Sequence, residues 1–188
     1  MKSATETEVK IPLSDRASIE LRLKSAGFRV SVARIREAND LFDTADQSLR
    51  GKGMILRLRQ SGESSVITWK GPGQPGPYKS RPELETSIGS VETLRRILEQ
   101  LGYTHAFRYE KYRTEYSDGT GRGVVTVDQT PIGDFLEIEG PGDWIDSTAD
   151  QLGFSQQDYV LESYGKLYLE YCAKRGLEPR NMVFASDA

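Results

Sequence analysis

Residues 6–11 read Glu-Thr-Glu-Val-Lys-Ile, a stretch in which charged and apolar side chains alternate. Side chains two residues apart lie on the same face of a β-strand. Glu6, Glu8 and Lys10 therefore share one face, and the apolar residues of the stretch share the other. The stretch predicts a β-strand with one charged face and one apolar face.

The same alternation returns along the rest of the chain. It places seven cations on charged strand faces: Lys10, Arg57, Arg59, Lys70, Arg81, Lys111 and Arg113. It also places seven anions there: Glu6, Glu8, Glu83, Glu85, Asp128, Glu137 and Glu139. An ordinary sheet with one solvated face alternates as well. Such a face usually mixes Ser, Thr, Gln and Lys, whereas these positions hold mainly Arg and Glu.

The hydrophobic pattern and the turn residues divide the chain into strands and helices. The predicted strands are 6–11, 28–44, 54–60, 64–70, 81–88, 107–117, 123–129 and 134–140. The predicted helices are 15–25, 90–101, 144–152 and 161–175. Pro12 is expected to end the first strand, residues 46–53 to form a turn, and Gly71–Pro77 to form a loop that is either a lid or a connector.

About eight strands, most of them joined as hairpins, are typical of a closed barrel. We therefore predict an α+β fold built on an eight-stranded antiparallel β-barrel with flanking helices. Residues 1–177 are expected to form a single domain, and residues 178–188 a C-terminal tail with little order.

Composition narrows the classes of function. Of the 188 residues 37% are hydrophobic and 28% are charged, and the formal net charge is −3. This near balance gives no overall attraction to nucleic acid or to an anionic membrane. The chain has one cysteine and one histidine, which excludes an internal disulfide and argues against a Cys- or His-rich metal site. We expect a cytoplasmic protein with no nucleic-acid or membrane partner.

The charged faces indicate what a barrel interior would bind. Like charges two residues apart repel when they face a confined space, so each cluster needs a counter-ion. Paired carboxylates such as Glu137 and Glu139 supply the hard oxygen ligands that Mg²⁺ and Mn²⁺ prefer. Pairs such as Arg57 and Arg59 supply forked donors that match phosphate oxygens. A triphosphate bound together with its metal ions would satisfy both sets.

Several motifs, taken in order along the chain, resemble the CYTH superfamily of triphosphate tunnel metalloenzymes. They are Glu6-Thr-Glu-Val-Lys10, Leu56-Arg-Leu-Arg59, Thr68-Trp-Lys70, Arg81-Pro-Glu-Leu-Glu85, Glu110-Lys-Tyr-Arg113, Val127-Asp128, Gly133-Asp-Phe-Leu-Glu-Ile-Glu139 and Ser163-Tyr164. The resemblance extends from Glu6 to Leu169. Within the superfamily, Trp69-Lys-Gly-Pro-Gly73 and the stretch from Leu101 to Arg113 are most similar to class IV adenylyl cyclases.

The resemblance implies a role for each charged residue. The substrate-binding set would be Lys10, Arg57, Arg59, Lys70, Arg81, Lys111 and Arg113. The metal set would be Glu6, Glu8, Glu83, Glu85, Glu137 and Glu139, with Mg²⁺ or Mn²⁺ as the cofactor. The catalytic set would be Lys10, Arg113 and Asp128. Two expectations rest on position in the chain and not on the resemblance. Lys79, beside the Gly/Pro loop, is expected to reach substrate, and Tyr164 is expected to pack against the barrel.

The reaction that the resemblance implies is conversion of ATP to cyclic AMP and pyrophosphate. One alternative is an inorganic or thiamine triphosphatase that releases orthophosphate, so the substrate is ATP, tripolyphosphate or thiamine triphosphate. A second is a nucleotide- or polyphosphate-binding protein without turnover, and a third is a nucleic-acid-binding barrel. The carboxylates argue against the third, because they would repel a phosphate backbone. The oligomeric state stays open, a homodimer being one alternative.

Overall fold

The computed structural model describes residues 4–185 and contains an eight-stranded antiparallel barrel. The strands are β1 (Ala4–Leu13), β2 (Arg29–Thr44), β3 (Ile55–Ser61), β4 (Ser64–Lys70), β5 (Lys79–Ser87), β6 (Tyr103–Ser117), β7 (Val124–Thr130) and β8 (Gly133–Glu139). They pair in the order β1-β5-β4-β3-β2-β6-β7-β8, and β8 pairs with β1 to close the barrel. The predicted α+β class and barrel architecture are confirmed.

Helices flank the barrel on its outside. They are α1 (Arg16–Ser25), α2 (Ser48–Gly51), α3 (Val91–Gln100), α4 (Gly142–Gln151) and α5 (Tyr164–Arg175), and a short 3₁₀ helix covers Gln156–Asp158. Asp15, Ser90 and Ser163 are the N-cap residues of α1, α3 and α5. The side-chain oxygen of each accepts a hydrogen bond from a backbone N–H of the first turn. Within residues 4–185 no helix is both long and apolar enough to cross a membrane.

The hydrophobic core lies between the barrel wall and the helices. Outward-facing residues of β1, β7 and β8, such as Val9, Val125 and Ile138, pack against α1 and α4, which contribute Leu23 and Ile145. All five side chains are completely buried. A smaller cluster joins α3 to the outer faces of β2 and β3. Because apolar burial stabilises the outside of the wall, the inside is left free for charged side chains.

Helix α5 closes part of the barrel lumen with aromatic residues. Tyr164, the first residue of α5, packs edge-on against Phe135 of β8, with ring centroids 5.4 Å apart. Its ring also lies 6.2 Å from that of Tyr109 on β6. Tyr164 packs against the barrel as the sequence predicts, and it forms an apolar floor beneath the charged lumen.

The segment after Leu177 was expected to lack order, and for its described part this is wrong. Strand β7 covers β6 only from Tyr112 onward, so the backbone groups of Arg108 and Glu110 need other partners. Met182 supplies them, because its carbonyl accepts from the Glu110 N–H and its N–H donates to the Arg108 carbonyl, each at 2.9 Å. Its side chain is completely buried in the α5 cluster.

Strand β1 continues through Pro12 instead of ending there. Pro12 lies opposite Phe135 of β8, while on its other side β5 pairs with β1 only as far as Glu8. Beyond Glu8 that side of β1 meets only Val160, which exchanges backbone hydrogen bonds with Lys10. In the described range Pro12 faces no strand on this side, so the missing N–H of a proline is tolerated. The prediction that Pro12 ends the first strand is therefore wrong.

Other boundaries differ by a few residues. Helix α2 lies inside the predicted turn 46–53. Strand β5 begins at Lys79 and not at Arg81, and β6 begins at Tyr103 and not at Phe107. The last helix begins at Tyr164 and not at Leu161. The earlier start of β5 matters for function, because it gives Lys79 a strand position.

Candidate active site

The barrel encloses a cavity of about 540 Å³, which we call the tunnel. Thirteen of the fourteen charged residues that the strand pattern singles out line it, and they come from six of the eight strands. The exception is Asp128, which points to the inside of the barrel but is completely buried beneath Lys111, Arg113 and Tyr164. With Lys79 included, eight cations and six carboxylates face the tunnel.

Strand register places opposite charges beside each other in the tunnel. Lys10 is the cross-strand partner of Glu137, and Lys70 is the partner of Glu83. Opposite charges in such positions attract, so the register is favoured by the side chains as well as by the backbone. Glu8 and Glu139 form an exception, because they are cross-strand partners with the same charge. This pair marks the acidic side of the tunnel.

Asp128 accepts hydrogen bonds from two tunnel cations, Lys111 and Arg113, and from Tyr164. Its carboxylate accepts hydrogen bonds from Lys111 Nζ at 2.8 Å and from Arg113 Nε at 2.7 Å. Arg113 Nη2 donates to the second oxygen at 2.6 Å, and the Tyr164 hydroxyl donates to the same oxygen at 2.9 Å. Asp128 thus fixes two cations whose faces toward the tunnel stay available. It contacts the tunnel only through these partners.

Lys10 is almost completely buried and sits between two carboxylates. Its Nζ lies 2.8 Å from Glu8 Oε1 and 3.1 Å from Glu137 Oε1. Burial disfavours the charge, but Glu137 and Glu8 outweigh it and raise the pKa of Lys10. Burial likewise disfavours ionisation of Glu137, but Lys10, Lys111 and Arg113 together hold its pKa well below the usual range. These groups stay charged over the whole physiological pH range.

The acidic side of the tunnel is already partly neutralised by lysines. Lys70 Nζ lies 2.6 Å from Glu6 Oε1, and Lys79 forms an ion pair with Glu8. Burial lowers the pKa of Lys79 to about 8, helped by the nearby positive charge of Lys10, although Glu8 opposes the shift. The same lysine helps Lys10 to lower the pKa of Glu8 against the effect of burial.

Glu139 differs from the other tunnel carboxylates. Within residues 4–185 its side chain forms no ion pair and no hydrogen bond, unlike those of Glu6, Glu8 and Glu137. Burial raises the pKa of Glu139 to about 7, and the negative charges of Glu6 and Glu8 add to the effect. An unpaired carboxylate beside two others is a place where added positive charge would be stabilising.

The donor set on this side fits a hard divalent cation. Glu6, Glu8 and Glu139 offer carboxylate oxygens only, which suits Mg²⁺ or Mn²⁺. Among the described residues no group of three or more acidic, His or Cys side chains is already arranged to hold a metal ion. Mg²⁺ typically takes one or two carboxylates and completes its shell with water and phosphate oxygens, so a partial protein set is chemically sufficient.

The remaining cations lie on β3 and β5, and Arg81 is the cross-strand partner of Glu6. Arg57 Nη2 donates to Thr68 Oγ1 at 3.1 Å, and Arg59 Nη2 donates to Glu85 at 3.2 Å. Arg81 forms no ion pair and no side-chain hydrogen bond with any residue in the described range, and its Nε is buried. A guanidinium in this state is a ready donor to a bound anion.

Two charged residues of the interior lie outside the predicted sets. Lys79 lies two residues before Arg81 on β5, so strand alternation extended by two residues places it on the tunnel face. Glu37 of β2 is buried within 3.6 Å of Lys111 Nζ. Its stretch carries charges on both faces, since Arg36 points to the outside, and alternation therefore gives no signal there.

Comparison with known proteins identifies the family. The profile of the CYTH domain matches residues 4–164. A Methanocaldococcus jannaschii protein named "Putative adenylate cyclase" is 28% identical over 134 residues, which cover 71% of this chain and 75% of that protein.

Solved structures share the fold. The structure of a "putative adenylate cyclase" from Vibrio parahaemolyticus matches with a TM-score of 0.76 at 20% identity, over 88% of this chain and 98% of that one. A Hippeastrum protein described as a putative adenylyl cyclase with a dominant triphosphatase activity matches with a TM-score of 0.61 at 16% identity, over 93% and 97% of the two chains. The profile match runs from β1 to the first residue of α5 and includes every strand of the barrel, so this chain belongs to the CYTH domain family.

Proposed function

We propose that this protein is a metal-dependent enzyme acting on a small triphosphate, and that its reaction converts ATP to cyclic AMP and pyrophosphate. One observation carries the proposal: eight cations and six carboxylates face a single cavity of about 540 Å³. CYTH family members act on triphosphates, and the M. jannaschii relative is named as a cyclase. A site with this many donors fits a polyanion better than it fits any neutral ligand.

The cations divide into two groups with different tasks. Lys10 and Lys111 are buried, Arg113 is largely so, and Glu137 and Asp128 hold all three in place, so they reorganise little when a phosphate group binds. We assign them to the pyrophosphate end of the substrate, where negative charge grows as the bond to the α-phosphorus breaks. Arg57, Arg59, Lys70 and Arg81 would bind the rest of the phosphate chain.

The proposed metal ligands are Glu6, Glu8 and Glu139, with Glu137 beside them on β8. When bound, Mg²⁺ or Mn²⁺ would neutralise phosphate oxygens and favour attack on phosphorus. Glu83 and Glu85 lie near Arg57, at 3.8 and 3.5 Å, and we assign them to orienting the arginines. Asp128 is a positioning residue that acts through Lys111, Arg113 and Tyr164.

In the proposed reaction the ribose 3′-oxygen attacks the α-phosphorus. The new O–P bond closes the cyclic phosphodiester, the bond from the α-phosphorus to the bridging oxygen breaks, and pyrophosphate leaves with that electron pair. The hydroxyl proton passes to water or to a carboxylate. Fixed cations on the leaving group favour this in-line displacement, because they are already oriented where negative charge develops.

Hydrolysis is the second candidate. Here water attacks the terminal phosphorus, and the bond from that phosphorus to its bridging oxygen breaks. The diphosphate part leaves with that electron pair, orthophosphate is the second product, and the same cations would stabilise the leaving group. The dominant triphosphatase activity described for the Hippeastrum neighbour favours it. The two reactions differ in the nucleophile and in the phosphorus that it reaches.

The test is to incubate the full chain with Mg²⁺ or Mn²⁺ and ATP, thiamine triphosphate or tripolyphosphate, and to separate the products by chromatography. Cyclic AMP with an equal amount of pyrophosphate is the expected result. Release of orthophosphate without cyclic AMP would mean that the protein is a triphosphatase and not a cyclase. Absence of turnover of all three would overturn the enzyme assignment.

The variant Glu137→Gln/Glu139→Gln should lose metal-dependent turnover while it keeps its circular dichroism spectrum. Glu63→Gln, at an exposed position between β3 and β4, is the matched control and should retain activity. Turnover that survives the double substitution would contradict the metal assignment.

A further inference from the structure

Glu8 pairs with two lysines of the tunnel through one and the same oxygen atom. Lys10 Nζ lies 2.8 Å from Glu8 Oε1, and Lys79 Nζ contacts this oxygen from β5. One negative charge therefore holds two positive charges. Because Glu8 is also a proposed ligand of the metal ion, a cation that stays on this carboxylate opposes metal binding there.

Lys10 is the fixed member of this pair of lysines. It is 2% exposed, and its Nζ lies 3.1 Å from Glu137 Oε1 in addition to its contact with Glu8. The same ammonium group lies 5.3 Å from the centre of the Tyr164 ring, a distance at which a cation and an aromatic ring attract each other. Lys10 therefore keeps its place when Glu8 turns toward another cation.

Lys79 is the member that is able to leave. Within the described residues its side chain forms one ion pair, the one with Glu8, and that contact is also its only side-chain hydrogen bond. Lys79 is the first residue of β5, and its side chain lines the tunnel. An ammonium group on a flexible four-carbon stem has several positions within reach. Movement of Lys79 away from Glu8 breaks no second ion pair.

Lys79 and Glu139 lie on the two sides of Glu8 in one row across the barrel wall. Glu8 is the cross-strand partner of Glu139 on β8 and of Lys79 on β5. Direct cross-strand partners point to the same face, with Cβ atoms about 5 Å apart. A metal ion held between Glu8 and Glu139 would lie beside a Lys79 that stayed in place, and the two positive charges would repel each other at short range.

We propose that Lys79 is a built-in cation that competes with the divalent metal for Glu8 and is released from this carboxylate when the metal binds. The inference rests on the proposed function, since it takes Glu8 as a metal ligand. Once released, the ammonium group stays on the tunnel face of β5 beside Arg81, where a phosphate oxygen is a suitable partner. Lys79 thereby lowers the affinity of the tunnel for free metal ions.

The test is titration of the full chain with Mn²⁺ near neutral pH and without phosphate, followed by electron paramagnetic resonance. Lys79→Met should bind Mn²⁺ about ten-fold or more tighter than the original chain, because the substitution removes one positive charge beside the metal and keeps the length of the side chain. Lys24→Met, at an exposed position on α1, is the matched control and should change the affinity less than about two-fold.

Two further variants separate the charge of Lys79 from its shape. Lys79→Gln is uncharged and shorter, and it should show the same gain in Mn²⁺ affinity as Lys79→Met. Lys79→Arg keeps the positive charge on Glu8 and should stay within about three-fold of the original chain. Circular dichroism checks that each variant is folded. A damaged fold would weaken metal binding, so a gain in affinity does not arise from loss of structure.

The outcomes separate this inference from the proposed function. Equal or weaker Mn²⁺ binding by both uncharged variants, or an equal gain in Lys79→Arg, would overturn the role of Lys79 and leave the triphosphate enzyme standing. Failure of the original chain and of every variant to bind Mn²⁺, with or without tripolyphosphate, would overturn the proposed function and this inference with it.

Discussion

At the scale of single residues, the raised pKa of Glu139 makes the stability of the fold depend on pH. Its pKa in the folded chain is about 7, raised by burial and then by Glu6 and Glu8, whereas an unfolded chain gives the usual 4.5. Between these values the folded state binds more protons than the unfolded state, so the free energy of unfolding falls as pH rises. The contribution is complete below pH 4.5 and is lost by about pH 7.

This linkage predicts a pH-dependent effect of Glu139→Gln in metal-free buffer. The substitution should raise the free energy of unfolding relative to the original chain by about 3 kcal/mol more at pH 8 than at pH 4.5, because a neutral amide avoids the buried charge. Urea unfolding at both pH values measures the difference. Asp134→Asn, at the other end of β8, is the control and should show no comparable pH dependence. A constant offset between the chains at both pH values would contradict the ionisation assigned to Glu139.

At the scale of elements, the segment containing Met182 completes the exposed side of β6. We predict that Met182→Ala lowers the free energy of unfolding by about 2–4 kcal/mol, since it empties a fully buried position among Phe135 and Tyr164. Thermal and urea unfolding measure the loss. Val183→Ala is the control, because Val183 is 38% exposed and should cost less than about 0.5 kcal/mol. Equal losses for both would mean that Met182 packs less closely than described.

Local alternation was sufficient to predict the strands and most of the tunnel lining. The rule works because strand parity depends only on spacing, so Arg57 and Arg59, or Glu137 and Glu139, must share a face once the strand is recognised. It fails where the strand start is misplaced, as for Lys79, or where both faces carry charge, as around Glu37. For Lys79 the missing information was the residue at which β5 begins, and for Glu37 it was which face of β2 points into the barrel.

Other features depend on contacts between distant segments and leave no local signal. Asp128 alternates like its neighbours, yet Tyr164, 36 residues later, helps to remove it from the tunnel surface. A second cavity beside the tunnel is lined by residues from three distant segments, namely residues near position 50, Phe107 and helix α5. Order in the C-terminal segment depends on a gap in the pairing of β6. No periodicity within one segment encodes such contacts.

At the scale of the whole molecule, the barrel wall separates two environments. Helices cover the outer apolar surface and supply the hydrophobic stabilisation. The inner surface gathers charges whose desolvation would be costly if they were not paired, which explains the dense ion pairs at Lys10, Arg113 and Glu137. The low apolar share of the sequence follows from this division.

The lysine–carboxylate pairs of the tunnel have a consequence for the order in which ligands enter. Glu6 and Glu8 occupy the places that phosphate oxygens would take on Lys70 and Lys10. A phosphate chain that captures these lysines must set the carboxylates free, and a freed carboxylate attracts a cation. Under the proposed function, entry of the anion and entry of the metal would be a single exchange of counter-ions, in which each ligand strengthens the binding of the other by the same factor.

We therefore predict that Mn²⁺ binds at least about five-fold tighter when tripolyphosphate fills the tunnel than when it is empty. Electron paramagnetic resonance titrations at buffered free Mn²⁺, corrected for the complex in solution, measure both affinities. Glu139→Gln should reduce this enhancement, whereas Glu63→Gln should preserve it. Equal affinity with and without tripolyphosphate would show that the lysines do not compete with the metal. The predicted enhancement would instead mean that substrate binding itself releases the carboxylates that bind the metal.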